Sequence, residues 1–238
     1  MAVSHAGSTE SHTGAIGSIS EASFTWTGPV GAPPHEGVLI FVFNLVSGAN
    51  IVSSVTYGAT SVPLVAGGEA IDSAGEPGWC GAYFIGSGFP TGSSQAVVVN
   101  RTNNTDELYA TCTLLQALGD TEVYTAGIVL LQGDGTLAEQ SVDDGSPGTD
   151  SERYAGTFSG LASVPGPGIN TSALLSFDTG QQTAAVVREA NTGQGSRLVG
   201  FASGTSDDRA AVHLAVREAA AAAERVPRFS PYPQILAH

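Results

Sequence analysis

The residues best suited to chemistry in this chain are carboxylates. Asp134, Asp143, Asp144, Asp150 and Glu152 crowd into the stretch 133–152, where most other residues are turn-formers. Carboxylate oxygens are the hard ligands that calcium prefers. Their spacing, however, fits neither an EF-hand loop nor a nonapeptide calcium repeat. The stretch is therefore expected to be a solvated acidic loop, long enough to have a role of its own, and no metal ligand is assigned within it. Asp207-Asp208-Arg209 reads as a turn opening the last strand, with the arginine paired locally.

Nucleophiles and bases are scarce. Of the five histidines, His5, His12, His35, His213 and His238, three fall in expected arms or tails. His213 lies on the opposite phase from Val212, Leu214 and Val216, which predicts that it faces solvent. No serine sits in a Gly-x-Ser-x-Gly elbow, and neither a His-Glu-x-x-His pair nor a phosphate-cradling loop occurs. A glycosidase needs two carboxylates across a cleft, and any pair among twenty-two carboxylates would serve, so that reading is unconstrained. No catalytic residue and no cofactor is expected. Cys80 and Cys112 fall on the apolar phases of Cys80, Ala82, Phe84 and of Leu108, Ala110, Cys112, Leu114. Free, buried thiols are expected, with no zinc site.

Charge narrows the partners. The chain carries eight arginines, no lysine and twenty-two acids, a formal net charge of -14. Residues 1–100 contain no basic side chain other than histidine, and all the arginines lie after that point. Nucleic-acid affinity rests on clustered cations that release phosphate counterions, and binding to an anionic leaflet needs them too. Neither partner is expected. The N-terminus lacks the charged and apolar regions of a signal peptide, which predicts maturation in a cytoplasm.

The elements that position these residues read as short strands. Residues 37–46, Gly-Val-Leu-Ile-Phe-Val-Phe-Asn-Leu-Val, form the longest apolar run. Because they do not alternate with polar residues, both faces of this central strand must be covered. Further strands are predicted at 23–27, 51–57, 62–65, 79–85, 95–100, 107–118, 153–159, 171–177, 183–188, 197–202 and 210–218, with a hairpin joining 51–57 to 62–65. Residues 122–132 form another apolar stretch, and 70–78 a loop. Thirty-one glycines and twelve prolines spread along the chain supply the turns. This pattern predicts one all-β domain, a jelly-roll-like β-sandwich over 21–218, with an N-terminal arm at 1–20.

Residues 219–238 read as a C-terminal arm, an Ala-rich turn of helix followed by a Pro-rich extended tail. The tail has no means of burying Phe229, Tyr232, Ile235 and Leu236 upon itself. These four side chains, with Arg225 and Arg228, are the expected partner-binding anchors. An exposed platform of Trp79, Tyr57 and Tyr83 would instead mark a carbohydrate- or receptor-binding module; the plain expectation is that Trp79 and Tyr83 share one strand face and pack.

Three stretches carry a resemblance: Val55-Thr56-Tyr57-Gly58, the turn 72–78, and Tyr83-Phe84-Ile85-Gly86-Ser87-Gly88-Phe89-Pro90-Thr91-Gly92. Residues 195–201 and 206–212 extend it. Over residues 37–218 the chain resembles phage virion-associated β-sandwich proteins of the capsid-decoration or tail-associated type. That resemblance implies a non-enzymatic structural protein of the virion, assembled in the host cytoplasm. It also implies contact with the major capsid protein or other virion proteins, as a homo-oligomer whose mechanism is to bridge capsomers.

Overall fold

The computed structural model describes residues 4–5, 12–17, 22–28, 36–73, 75–91, 93–103, 106–117, 119–145, 151–160, 166–179, 182–189, 193–202 and 206–219. The first half of the chain supplies β1 (Ser4–His5), β2 (His12–Gly17), β3 (Ser23–Thr27), β4 (Gly37–Asn44), β5 (Val52–Tyr57), β6 (Thr60–Ser61), β7 (Leu64–Asp72), β8 (Gly78–Ile85), β9 (Ala96–Arg101) and β10 (Leu108–Gln116). The second half supplies β11 (Thr121–Val123), β12 (Val129–Gln132), β13 (Gly135–Thr136), β14 (Gln140–Val142), β15 (Glu152–Ser159), β16 (Thr171–Asp178), β17 (Thr183–Glu189), β18 (Arg197–Val199), β19 (Ser206–Asp207) and β20 (Arg209–Glu218). One 3-10 turn lies at Thr125–Gly127, and there is no α-helix among the described residues.

The strands build five antiparallel sheets, three of them stacked and the other two being the pairs β13-β19 and β14-β18. The central sheet runs β10-β4-β8-β7, with β1 and β2 both on the outer edge of β10. On one side lies the sheet β3-β9-β5-β6, and on the other β11-β20-β15-β17-β16, with β12 also on β20. Every residue of β4 is buried. Val38, Ile40 and Val42 pack with Phe24, Val55, Tyr57, Val97 and Val99 of one flanking sheet. Leu39, Phe41 and Phe43 pack with Tyr154, Phe158, Val212, Leu214 and Val216 of the other. An unbroken apolar run is what a strand sandwiched between two sheets requires, and six such side chains contribute on the order of 10 kcal/mol of transfer free energy.

The sandwich expectation is met, and the layers exceed the two sheets of a jelly roll. A smaller core, with Leu137, Val142, Val199 and Phe201 over Ala155, Ala185, Val187, Ala211 and Ala215, covers the outer face of the β15-β17-β20 sheet. The strands pairing as β14-β18 form part of this overlay.

Several elements differ from their sequence-based outlines. The partner of β5 in the hairpin is the two-residue β6, with Tyr57 opposite Thr60. The Val62 amide still donates to the Val55 carbonyl at 2.9 Å, but Pro63 has no N–H with which to continue the ladder. The chain crosses there to the central sheet, and β7 runs on to Asp72 through residues expected to be loop. The 122–132 stretch divides into β11 and β12 around the 3-10 turn, and both pieces pair with β20. The acidic stretch holds β13 and β14. Within the expected N-terminal arm, β1 and β2 add to the edge of the central sheet.

Candidate functional site

At one end of the β15-β17 pair, ionic side chains enter the protein. Arg153 on β15 is fully buried. Its Nη2 lies 3.1 Å from Asp144 Oδ2 and its Nη1 3.2 Å from Glu189 Oε2. The same guanidinium donates to the carbonyls of Val142 at 3.3 Å, Ser151 at 3.2 Å and Gly193 at 2.7 Å, and to that of Gly195. Asp144 also accepts from Ser151 Oγ at 2.5 Å and from the Gly195 amide at 3.0 Å. A buried guanidinium is tolerable only when its fork of donors is matched, and here three loops supply the acceptors.

Glu189 links this buried set to the surface. Its Oε1 accepts from Arg197 Nε, and the Arg197 side chain is 37% exposed. Burial raises the Glu189 carboxyl above the usual carboxylate range, and Arg197 and Arg153 oppose that rise. Glu189 and Arg197 line an open pocket of about 220 Å³ together with Asn170 and Leu198. Beside it, Ile169 is 93% exposed and Leu198 43%. The pocket therefore offers an ion pair, an amide and an apolar rim, groups that suit a small polar ligand. Of the buried carboxylates, only Glu189 lines it.

A second ionic set occupies the same sheet end. Buried Glu152 pairs with Arg188 at 2.8 Å and accepts from the Tyr154 hydroxyl at 2.8 Å. Burial holds that hydroxyl well above its ordinary pKa. Further across, Arg217 pairs with Glu122 at 2.7 Å and lies 4.5 Å above the Tyr124 ring.

The acidic stretch is thus not a single ligand set. Asp144 and Glu152 point into separate ionic clusters, and Asp143 accepts from the Gly145 amide at 3.2 Å. Asp134 lies beside Asp208, and Asp150 lies outside the described residues. The tail anchors Arg225, Arg228, Phe229, Tyr232, Ile235 and Leu236 also lie outside the described residues, as do His35 and His238.

His213 overturns its sequence reading, being fully buried rather than solvent-facing. Its side chain does point away from Val212 and Leu214, as its phase along β20 requires. That second face is covered too, by the overlay carrying Gly200, whose Cβ position lies 3.2 Å from His213 Nε2. Desolvation lowers the imidazole from 6.5 to about 4, and the nearby Arg209 charge acts in the same direction.

Cys80 and Cys112 are free and buried, with burial raising both thiols far above their usual range. Trp79, Tyr57 and Tyr83 are buried and share one core, so they form no exposed platform. The Trp79 indole donates to Glu69 Oε2 at 3.1 Å.

Sequence reasoning missed the Arg153 cluster, although a signal was present. Glu152-Arg153 opens one strand and Arg188-Glu189 closes the next, and the register sets Tyr154 opposite Arg188. Antiparallel pairing of two such dipeptides brings opposite charges together on both faces of the sheet.

Comparison of the chain with protein families, with curated proteins and with solved structures gives no match in any of the three.

Proposed function

We propose that this chain is a non-enzymatic structural protein of a phage virion, a decoration protein that cements the outer face of a capsid as a homo-oligomer. The observation that carries this reading is where the cations go. Each of the six described arginines donates to a carboxylate or a carbonyl of the same chain: Arg101 to Asp106, Arg153 to Glu189, Arg188 to Glu152, Arg197 to Glu189, Arg209 to Thr136 and Arg217 to Glu122. Most of them tie one strand to another, and Arg101 ties a loop to β9, which suits a body whose task is rigidity. An acidic exterior with its guanidiniums engaged internally also disfavours nucleic acid and anionic membranes as partners.

In this reading the stacked sheets are the rigid body, and Phe229, Tyr232, Ile235 and Leu236, with Arg225 and Arg228, are its anchors on neighbouring capsomers. The test compares the full chain with one truncated after Glu218 for binding to purified undecorated capsids. Binding that requires residues 219–238 supports cementing. Failure of both forms to bind rejects it.

A second reading is favoured by the pocket beside Glu189 and Arg197. A tail-associated or receptor-binding module would use Asn170, Arg197 and the Leu198 rim to hold a glycan. Binding on a glycan array that is lost in Arg197→Ala would support this reading over decoration.

A further inference from the structure

On one flank of the stack, the outer strands of two layers lie side by side. β2 is at the outer edge of the central sheet, and β16 ends the sheet β11-β20-β15-β17-β16. Among the described residues no strand pairs with the far side of β16. The two edges touch, since a Cβ at Gly14 would lie 2.8 Å from Cζ of Phe177 and nearer still to Leu175. The Phe177 ring lies 5.2 Å from that of Tyr109. Ile16, opposite Tyr109 in the ladder, is 53% exposed, and Leu175 and Phe177 are half-buried. These side chains form an apolar ledge beside an open strand edge.

The other sheet edges are blunted. β3, β6, β11 and β12 have five residues or fewer, and β7 carries Glu69, Asp72 and a register shift between Leu64 and Glu69. β16 has eight residues, a single charge at Asp178, and no proline. A long edge without charge or proline is a template for pairing with another chain. The pattern of β16 also suits itself. A register shift between Ala173 and Leu175 sets Ala173 against Val187 and Ser176 against Ala185, on one face of the sheet. An antiparallel two-fold register with Ala173 opposite Ser176 of the partner subunit then matches faces along the whole strand, Thr171 meeting Asp178 and Ser172 meeting Phe177.

We infer that β16 pairs with β16 of a second copy across a two-fold axis, running two sheets into one and covering the ledge of Ile16, Leu175 and Phe177. Charge selects this occupant. Two chains of net charge -14 repel one another, and they repel least along this seam. Its two Asp178 carboxylates fall at opposite ends, roughly 20 Å apart and beyond the screening length of about 8 Å. One short ladder is a small interface, so the dimer is concentration-dependent. The inference rests on the homo-oligomer of the reading above and supplies its contact; because its test contains no capsids, its failure is distinct from failure to cement.

The test is sedimentation velocity of the full chain over a dilution series. Alongside run two double variants, Ala173→Glu with Ser176→Glu and Ala173→Lys with Ser176→Lys. Both positions are exposed, so the variants retain the fold. The parent should approach twice the mass of one chain at the concentrated end. Each variant alone should stay at one, because like charges then meet across the seam. The Lys form should do so although it is less acidic than the parent, and an equal mixture of the two forms should regain the doubled mass. Dimerisation unchanged in both variants places the contact elsewhere and overturns the inference. So does a mixture that fails to associate, or a parent that stays monomeric throughout, which gives the ledge to another protein or to residues 219–238 of the same chain.

Discussion

Gly156 on β15 faces the ring of Phe41 on β4 so closely that a Cβ at Gly156 would lie 2.8 Å from both Cγ and Cε1. The relationship is reciprocated one strand away, where a Cβ at Gly78 on β8 would lie 2.5 Å from Cγ of Phe158 on β15. Each sheet presses an aromatic ring onto bare backbone of the other. Gly156→Ala should therefore destabilise by about 1–3 kcal/mol through overpacking. The expected reading is a lower denaturant midpoint at unchanged slope. Adding Phe41→Leu should recover part of the loss; a double variant no more stable than the two single losses combined predict would sink this account.

Arg153 is the hub of the buried ionic cluster. Arg153→Met leaves Asp144 and Glu189 without their buried cation and should cost about 3–5 kcal/mol. Neutralising both partners in the same background, as Asp144→Asn with Glu189→Gln, should restore much of that. Equilibrium unfolding of the four combinations gives the coupling directly.

His213 sets an acid limit. Its folded-state value of about 4 lies below the ordinary 6.5, so the unfolded chain takes up a proton that the folded chain refuses. Its contribution is present above pH 6.5, declines as pH falls towards 4, and levels off below that, with a total near 3 kcal/mol. His213→Leu should flatten this part of the stability profile. An unchanged slope between pH 6.5 and 4 in that variant would assign the acid sensitivity to other groups.

Cys80 and Cys112 are enclosed in different cores. A thiol reagent should leave both unmodified in the native protein and label both in denaturant. Rapid native labelling of either would contradict the burial described.

The fold was legible where one residue type dominated. The 37–46 run announced a strand covered on both faces because nothing polar interrupts it, and β15, β17 and β20 were outlined by their apolar stretches. The crossing at Pro63 was not legible, since a change of sheet depends on which ladder the next residues join. The candidate site was less legible still. Glu152-Arg153 and Arg188-Glu189 are 36 residues apart, and only the strand register makes them neighbours. Nor does the phase of His213 reveal that its second face has a cover, because that cover comes from residues 137–142 and 199–201.

The split between the halves of the chain bears on how the protein is made. Sheets β10-β4-β8-β7 and β3-β9-β5-β6 come entirely from residues before 117, and the strands facing Leu39, Phe41 and Phe43 all come later. During synthesis, a ribosome that has released the first half presents a pair of layers with one oily face still open to solvent. Partly made chains carrying such a face are prone to associate with one another or to recruit chaperones. A pause near the middle of the message would lengthen that exposure, whereas rapid delivery of β15 and β20 would end it.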